Sequence, residues 1–257
     1  MSEQPEKSPR SPDLGTTIGG VSFPSCVMNA SGVWSSTAAE LRALARSGTG
    51  AIVLKTATVH PFVHPQYRSL HNPGYDRLLP LVRELASEAP CPVVASIAGS
   101  SVDEFATLAR AFAEAGAAMI EVNLADDWVA ATLAPWEEPE TLRLLLARLR
   151  DASQAILSVK LPDRLPIPYR LAGERLAAAG VGVVVAKNDF EGLERLRLAT
   201  GSALEVIAAG GVRSGYDVSR AIAKGARAVQ VGSELLAEGP GIFLRLAREI
   251  RIARARP

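Results

Sequence analysis

Eight short apolar segments, each followed by a segment of helical pattern, run along the chain and restrict it to few folds. Each segment is too apolar to leave one face of a strand in water, which is typical of parallel strands covered on both sides. A strand and a helix repeated eight times predict a parallel (β/α)8 TIM barrel. The predicted strands are Cys26–Asn29, Ala51–Lys55, Pro92–Ile97, Ala118–Asn123, Ala155–Lys160, Gly182–Ala186, Glu205–Ala209 and Ala228–Val231.

The segments between these strands carry apolar residues at helical spacing, and the length of 257 residues suits one barrel domain of about 250 residues. An open, doubly wound sheet is the alternative, but no Gly-x-Gly-x-x-Gly follows the first strand to favour it. The predicted helices are Thr37–Ala45, Tyr75–Glu88, Val102–Ala115, Pro139–Ala152, Tyr169–Ala179, Leu193–Leu198, Asp217–Ala223 and Gly241–Ala253.

The amino-terminal residues differ in composition from the rest of the chain. Residues 1–13 contain three prolines, three serines and mixed charge with almost nothing apolar, which predicts a disordered tail. Residues 14–257 then form the barrel domain. Within it, residues 16–23 alternate around Gly19 and Gly20, which predicts a short β-hairpin that could close the bottom of the barrel.

Charge and cysteine content exclude several classes of protein. A formal net charge of +1 gives no general attraction to nucleic acid or to a membrane surface. Cys26 and Cys91 lie far apart with no C-x-x-C, so neither a disulfide framework nor an iron–sulfur or zinc site is indicated. No apolar run approaches the roughly 18 residues of a membrane span. We therefore expect a cytoplasmic protein that binds neither nucleic acid nor membrane.

The last two predicted strands both end in glycine. Gly210 and Gly211 follow the seventh strand, and Gly232 and Ser233 follow the eighth, where a short helix is expected to begin. Glycine at this end of a strand lets backbone N–H groups approach an anion closely. The loops after strands 7 and 8 are the usual phosphate site of a barrel. These glycines could also be simple tight turns, but two such sites in consecutive units favour a phosphate site.

Lysine and asparagine side chains end several other predicted strands. Lys55 and Lys160 each close a largely apolar run, and Asn29, Asn123 and Asn188 stand at or just after strand ends. In a barrel, all of these positions face one mouth. Partly buried ammonium groups need anionic partners, which a ligand carrying phosphate and a delocalised negative charge would supply.

With these residues placed, the chain resembles a known family, the class 1 dihydroorotate dehydrogenases, and especially their class 1B branch. The similarity extends from about Gly19 to the end of the chain. The motifs that carry it are Asn29-Ala30-Ser31-Gly32, Leu54-Lys55-Thr56, Leu70-His71-Asn72-Pro73-Gly74, the segment Val94–Glu104, Val159-Lys160-Leu161-Pro162 and the glycine-rich stretch Ile207–Phe243.

The resemblance implies an FMN-binding barrel and assigns roles to residues. Lys160 would stabilise negative charge on the reduced flavin, and Lys55 would reach both flavin and substrate as a catalytic residue. It further implies a homodimer and is compatible with an electron-transfer partner subunit. The implied substrate-binding residues are Gln66, Asn72, Asn123 and Asn188, and the implied cofactor-binding residues are Ala30, Ser31, Lys55, Thr56, Ser96, Asn123, Lys160, Gly210, Gly211, Gly232 and Ser233.

The chain departs from the family pattern where the family binds orotate. Asp126 stands at the position of the catalytic cysteine and is the predicted catalytic base, while Asp127 and Trp128 replace the proline and the orotate-binding asparagine that follow it. Asp189 replaces a serine or threonine after Asn188. Two carboxylates about 4 Å apart repel by several kcal/mol at intermediate dielectric. The resemblance and the departures together predict a dihydroorotate dehydrogenase-like, FMN-dependent oxidoreductase that acts on a C–C bond of a small neutral or cationic substrate other than, or altered from, dihydroorotate.

Two alternative functions stay open at this point. One is a flavin-free, phosphate-binding barrel with lyase, isomerase or synthase chemistry, and the other is a non-catalytic descendant that binds a ligand or a partner chain. The retained lysines and asparagines favour the oxidoreductase. The loss of the family's base and of a long glycine-rich loop favours the non-catalytic protein, in which Asp126 would only cap or pair within a shortened loop.

Overall fold

A computed structural model describes residues 14–63, 71–188 and 190–254. The predicted tail, residues 1–13, and the residues Gln66 and Asp189 lie outside the described part of the chain. The strands are β1 (Thr16–Ile18), β2 (Val21–Phe23), β3 (Val27–Asn29), β4 (Ile52–Val53), β5 (Val93–Ile97), β6 (Met119–Asn123), β7 (Ile156–Lys160), β8 (Val183–Lys187), β9 (Glu205–Ala209) and β10 (Ala226–Val231). The helices are α1 (Ala38–Ala45), α2 (Leu79–Glu88), α3 (Val102–Glu114), α4 (Asp127–Leu133), α5 (Pro139–Ala152), α6 (Tyr169–Ala178), α7 (Phe190–Thr200), α8 (Gly215–Ala223), α9 (Ser233–Glu238) and α10 (Ile242–Arg254).

Strands β3 to β10 form one parallel sheet in the order β3-β10-β9-β8-β7-β6-β5-β4. Each strand lies beside its neighbour along the chain, and β3 lies beside β10, so the sheet bends round into a ring with helices outside. The register pairs Asn123 with Lys160, which places the polar ends of β6 and β7 side by side at one mouth. The predicted (β/α)8 barrel is confirmed.

The seam between β3 and β4 is closed mainly by a side chain. Ile52 of β4 and Leu54 just after it donate their N–H groups to the carbonyls of Pro92, just before β5, and Val94, within it, which leaves the N–H and C=O of Val53 facing β3. The fully buried Asn29 accepts from the Val53 N–H at 2.8 Å and donates to the Val53 carbonyl at 2.6 Å. The sequence placed Asn29 with the other strand-end asparagines at the mouth; the structure turns its amide to Val53 instead, where it substitutes for a missing stretch of backbone ladder.

A glycine allows the chain to pass close to this seam. The N–H of Gly50 donates to the Val27 carbonyl at 2.7 Å, which adds a backbone bond between β3 and the approach to β4. A Cβ at Gly50 would lie 1.9 Å from the carbonyl oxygen of Ser25. Only glycine therefore lets the two segments meet at this distance.

The predicted hairpin is confirmed and covers the amino-terminal end of the barrel. Strands β1 and β2 pair antiparallel, and Ile18 is fully buried. The turn residue Gly19 lies against the start of β7, where a Cβ would be 2.6 Å from Ile156. Its N–H donates to the Glu205 carboxylate, at the start of β9, at 2.6 Å. The opposite end, where the strands finish, remains available for a site.

The helices follow the predicted order with shifted ends. Helix α2 begins at Leu79 rather than Tyr75, and α7 begins at Phe190 rather than Leu193. Helix α4 was not predicted, because its seven residues are too few to show a helical period. The short helix expected near Ser233 is present as α9. In the described part of the chain, no helix combines the length and apolar character needed to cross a membrane.

Candidate active site

A cleft of about 560 Å³ opens at the carboxyl ends of the strands. It lies among the loops that follow β3, β4, β6 and β7. A cavity of about 640 Å³ at the opposite end, beside the hairpin, holds none of the predicted residues. The cleft brings together seven of the residues predicted from sequence, namely Ser31, Lys55, Thr56, Asn72, Asn123, Asp126 and Lys160.

Two lysines contribute positive charge to the cleft. Lys160 ends β7, and its Nζ donates to the Ser31 hydroxyl at 3.1 Å. Lys55 follows β4 and is 5% exposed. Burial lowers the pKa of Lys55, nearby Asp126 opposes this effect, and Lys160 adds to it. Both ammonium groups lie where the sequence predicted them, at the mouth of the barrel.

Asn123 and Asp126 form the turn that leaves β6. The Nδ2 of Asn123 donates to Asp126 Oδ2 at 3.1 Å and to Thr56 Oγ1 at 3.2 Å, while its Oδ1 accepts from the Ala125 N–H at 3.1 Å. Burial raises the pKa of Asp126. The positive charges of Lys160 and Lys55 and the Asn123 hydrogen bond counteract this rise without cancelling it. The result is a partly desolvated carboxyl group with a raised pKa.

Asn72 and two aromatic rings shape the outer wall of the cleft. The Oδ1 of Asn72 accepts from the Thr58 hydroxyl and from the Gly74 N–H, each at 3.0 Å, so it holds its own loop. The rings of Phe62 and Trp128 stack with centroids 6.3 Å apart and planes 21° apart. Sequence reasoning did not single out Phe62 or Thr58, because isolated residues in a loop of uncertain path carry no periodic signal.

The predicted phosphate site forms a surface beside the cleft rather than in its lining. We call this surface the glycine ledge. Gly210 and Gly211 have left-handed φ of 78° and 65°. The Gly210 N–H already donates to the Gln230 carbonyl at 2.9 Å, so the Gly211 N–H is the one of the two that could donate to an anion. The ledge consists of Ala30, Gly210, Gly211, Gly232 and Ser233.

The ledge is compact and open on one side. The Ala30 N–H donates to the Val231 carbonyl at 2.9 Å, and a Cβ at Gly232 would lie 3.9 Å from the Cβ of Ala30. A Cβ at Gly210 would meet no atom within 4 Å. Arg213 and Glu234 form an exposed ion pair at 3.8 Å between the two glycine loops. The space over Gly210 is therefore open to a ligand group.

Asn188 lies next to the ledge with an unsatisfied side chain. Both its Nδ2 and its Oδ1 are buried and have no hydrogen-bond partner among the described residues. A Cβ at Gly211 would lie 3.7 Å from Nδ2. Buried amides are nearly always hydrogen-bonded in folded proteins. An orphan amide beside two left-handed glycines fits a polar ligand that lies across both.

A buried polar cluster lies below the cleft, inside the barrel. Glu121 is fully buried on β6 and accepts from the Ser96 hydroxyl at 2.9 Å and from Gln230 Nε2 at 2.7 Å. Ser96, predicted as a cofactor residue, reaches the cleft only through Thr56, whose hydroxyl lies 3.0 Å away. Sequence reasoning missed Glu121 and Gln230. A charged residue inside an otherwise apolar strand was the signal that could have identified Glu121.

Comparison with known proteins places this barrel and cleft in a family. The family model described as dihydroorotate dehydrogenase matches residues 13–188 and 169–253. A Streptococcus agalactiae protein assigned by name to dihydroorotate dehydrogenase A (fumarate) is 30% identical, over 93% of this chain and 92% of its own. The dihydroorotate dehydrogenase B (NAD(+)) catalytic subunit of Methanothermobacter thermautotrophicus is 26% identical, over 91% of each chain.

Solved structures agree on the fold. The ligand-free dihydroorotate dehydrogenase of Eimeria tenella superposes with a TM-score of 0.85 at 16% identity, covering 97% of this chain and 90% of its own. Its complex with ferulenol gives a TM-score of 0.83, covering 98% of this chain and 88% of its own. A (β/α)8 barrel with charged residues at its mouth is thus the class of protein. The chain belongs to the dihydroorotate dehydrogenase family, a family of oxidoreductases.

Proposed function

We propose that this chain is an FMN-dependent oxidoreductase that acts on a carbon–carbon bond of a small neutral or cationic substrate, rather than on the anion dihydroorotate. The observation that carries the proposal is the buried carboxyl of Asp126, with its raised pKa, in a cleft that also contains Lys55 and Lys160. When bound, FMN would supply the acceptor for the two electrons that leave the substrate.

The residues present fit FMN in three places. The glycine ledge offers the Gly211 N–H and an open Cβ position at Gly210 to a phosphate group. Lys160 projects into the cleft from β7, where its ammonium would oppose negative charge on a reduced ring system. The orphan amide of Asn188 lies beside the ledge and would regain a partner from the bound molecule.

Asp126 is the residue best placed to move a proton. An ordinary aspartate has a pKa near 3.9 and is a weak base at neutral pH. Burial raises the pKa of Asp126, which brings its basicity closer to what a general base needs. The hydrogen bond from Asn123 fixes the orientation of Oδ2 and leaves Oδ1 to face a substrate.

The charges around the cleft select the substrate. If Lys160 serves the cofactor, one ammonium group, on Lys55, faces two carboxylates, on Asp126 and Asp127. A substrate carboxylate would meet net repulsion there, whereas a neutral or positively charged group would not. The stacked rings of Phe62 and Trp128 supply a flat apolar wall for the rest of a small molecule.

The first test is the flavin content of the purified protein. We expect bound FMN, and we expect Gly211→Asp to lose most of it because the new carboxylate repels the phosphate. Gly211→Ala is the matched control, since it adds the same Cβ at φ 65° without charge. Equal flavin content in the two variants would locate the phosphate elsewhere. If the wild-type protein is colourless after incubation with FMN and removal of the unbound FMN, the proposal is wrong and a flavin-free function is favoured.

The second test concerns the substrate charge. Dihydroorotate and its methyl ester differ by one negative charge at nearly the same shape, and each can be mixed anaerobically with the flavin-loaded protein. We expect the neutral ester to bleach the flavin faster than the acid, by tenfold or more. Faster bleaching by the acid would show that the acidic loop has not changed the substrate preference.

A further inference from the structure

We propose that Glu121 is a positioning residue that organises the candidate site from inside the barrel by two separate routes. Its side chain is fully buried between the strands and does not line the cleft. Each carboxylate oxygen accepts one hydrogen bond, from Ser96 at 2.9 Å and from Gln230 at 2.7 Å. Because β6 and β10 lie four strands apart in a ring of eight, the bond to Gln230 spans the barrel interior.

The first route is electrostatic and runs to Lys160. The Lys160 Nζ lies 3.7 Å from Glu121 Oε1, and the lysine side chain is 21% exposed while the glutamate is fully buried. A buried carboxylate at this distance holds the ammonium at the inner end of the cleft. It also offsets part of the positive charge that Lys160 presents to a ligand. Glu121 thus sets both the position and the effective charge of Lys160.

The second route is a chain of hydroxyl groups. A carboxylate only accepts hydrogen bonds, so Ser96 must donate its proton to Glu121. Thr56, 3.0 Å away, then donates to Ser96, and its oxygen accepts from Asn123 Nδ2 at 3.2 Å through one of its two lone pairs. The second hydrogen of that amide goes to Asp126. Because the Glu121 oxygen accepts from Ser96, the Ser96 and Thr56 hydroxyls both donate towards Glu121, and the Thr56 oxygen is left to accept from the amide that holds the candidate base.

Two substitutions separate the routes. Glu121→Gln removes the charge but keeps an oxygen that accepts from Ser96. The Oε1 of Gln230 has no partner among the described residues, so its amide can rotate to accept from the new side chain. Ser96→Ala keeps the charge and breaks the hydroxyl chain. Ser158→Ala is the control, since Ser158 pairs with Glu121 in the register and is buried but belongs to neither route.

The hydroxyl route is tested by NMR of the side-chain amide of Asn123 in the purified full-length chain, assigned with Asn123→Asp. We expect Ser96→Ala to shift both amide hydrogen signals, and Glu121→Gln and Ser158→Ala to shift them much less. Signals that coincide in Ser96→Ala and the wild type would overturn this route. The measurement needs no flavin, so it is independent of the proposed function.

The electrostatic route rests on the proposed function and is tested by the reduction potential of bound FMN near neutral pH. Without the Glu121 charge, Lys160 stabilises the reduced ring more strongly. We expect Glu121→Gln to shift the equilibrium towards reduced flavin at least tenfold, about 30 mV for a two-electron couple. A potential equal to that of Ser158→Ala would overturn this route. If Glu121→Gln does not fold, the double variant Glu121→Gln with Gln230→Glu keeps a hydrogen bond across the barrel while it removes the charge next to Lys160. Its potential is then compared with that of Ser158→Ala in the same way.

Discussion

Replacing Asn29 with alanine tests how the barrel closes. The Asn29 amide is fully buried and bonds both backbone groups of Val53, at 2.6 Å and 2.8 Å. Asn29→Ala would leave that N–H and that C=O buried without partners. Each unsatisfied buried group costs about 1–3 kcal/mol, so the two together cost about 2–6 kcal/mol. We expect the free energy of unfolding to fall by this amount.

Urea denaturation followed by circular dichroism measures the loss, with Ser158→Ala as the control. The Ser158 hydroxyl is equally buried but makes one long bond of 3.4 Å, so its removal should cost less than about 1 kcal/mol. Hydrogen exchange gives a local readout, because the Val53 amide should lose protection in Asn29→Ala. A loss no larger than that of the control, with Val53 still protected, would refute side-chain closure of the seam.

Two further changes probe the seam glycine and the candidate base. Gly50→Ala places a methyl group 1.9 Å from the Ser25 carbonyl oxygen and should lower the free energy of unfolding by about 3 kcal/mol or more. Gly182→Ala is the control: its methyl group enters open space and should change the free energy of unfolding by no more than about 0.5 kcal/mol. Equal denaturation midpoints of the two variants would contradict this expectation. Asp126→Asn should abolish substrate-driven flavin reduction, and reduction at an undiminished rate would make Asp126 structural. The same variant checks the pKa of Asp126. Because this pKa is raised in the folded state, the free energy of unfolding of the wild type should fall as the pH rises from the ordinary carboxyl range towards the raised value. Asp126→Asn should remove this fall.

The order of elements could be predicted because each strand is a short apolar run and each helix shows a repeating apolar face. All eight predicted barrel strands are present, and the mouth collects Lys55, Lys160 and Asn123 as the spacing implied. Strand ends are less predictable. Strand β4 spans only two residues: the Leu54 N–H still donates to Val94 of β5, but the Lys55 N–H already turns to the Ser35 carbonyl at 2.8 Å.

The roles of single polar residues were harder to predict. Asn29 and Asn123 both stand at strand ends, yet one closes the seam and the other faces the cleft. Their roles differ because their side chains bond different residues in the folded chain, and the sequence around each asparagine does not indicate which residue that is. Glu121 and Gln230 are 109 residues apart in the chain and meet only because the sheet closes into a ring. Helix α4 escaped prediction for the simpler reason that it is short.

The bonds of Asn123 have a consequence for what the cleft can recognise. Both hydrogens of its amide are already donated, to Thr56 and to Asp126, and its oxygen keeps one lone pair beyond the bond from Ala125. The side chain can therefore offer a ligand an acceptor but no hydrogen. The carboxylates of Asp126 and Asp127 lie alongside and also offer only acceptors. This wall of the cleft can therefore bind the N–H and O–H groups of a ligand but not its carbonyl groups. A ligand rich in hydrogen-bond donors, such as an amine or a primary amide, would match it.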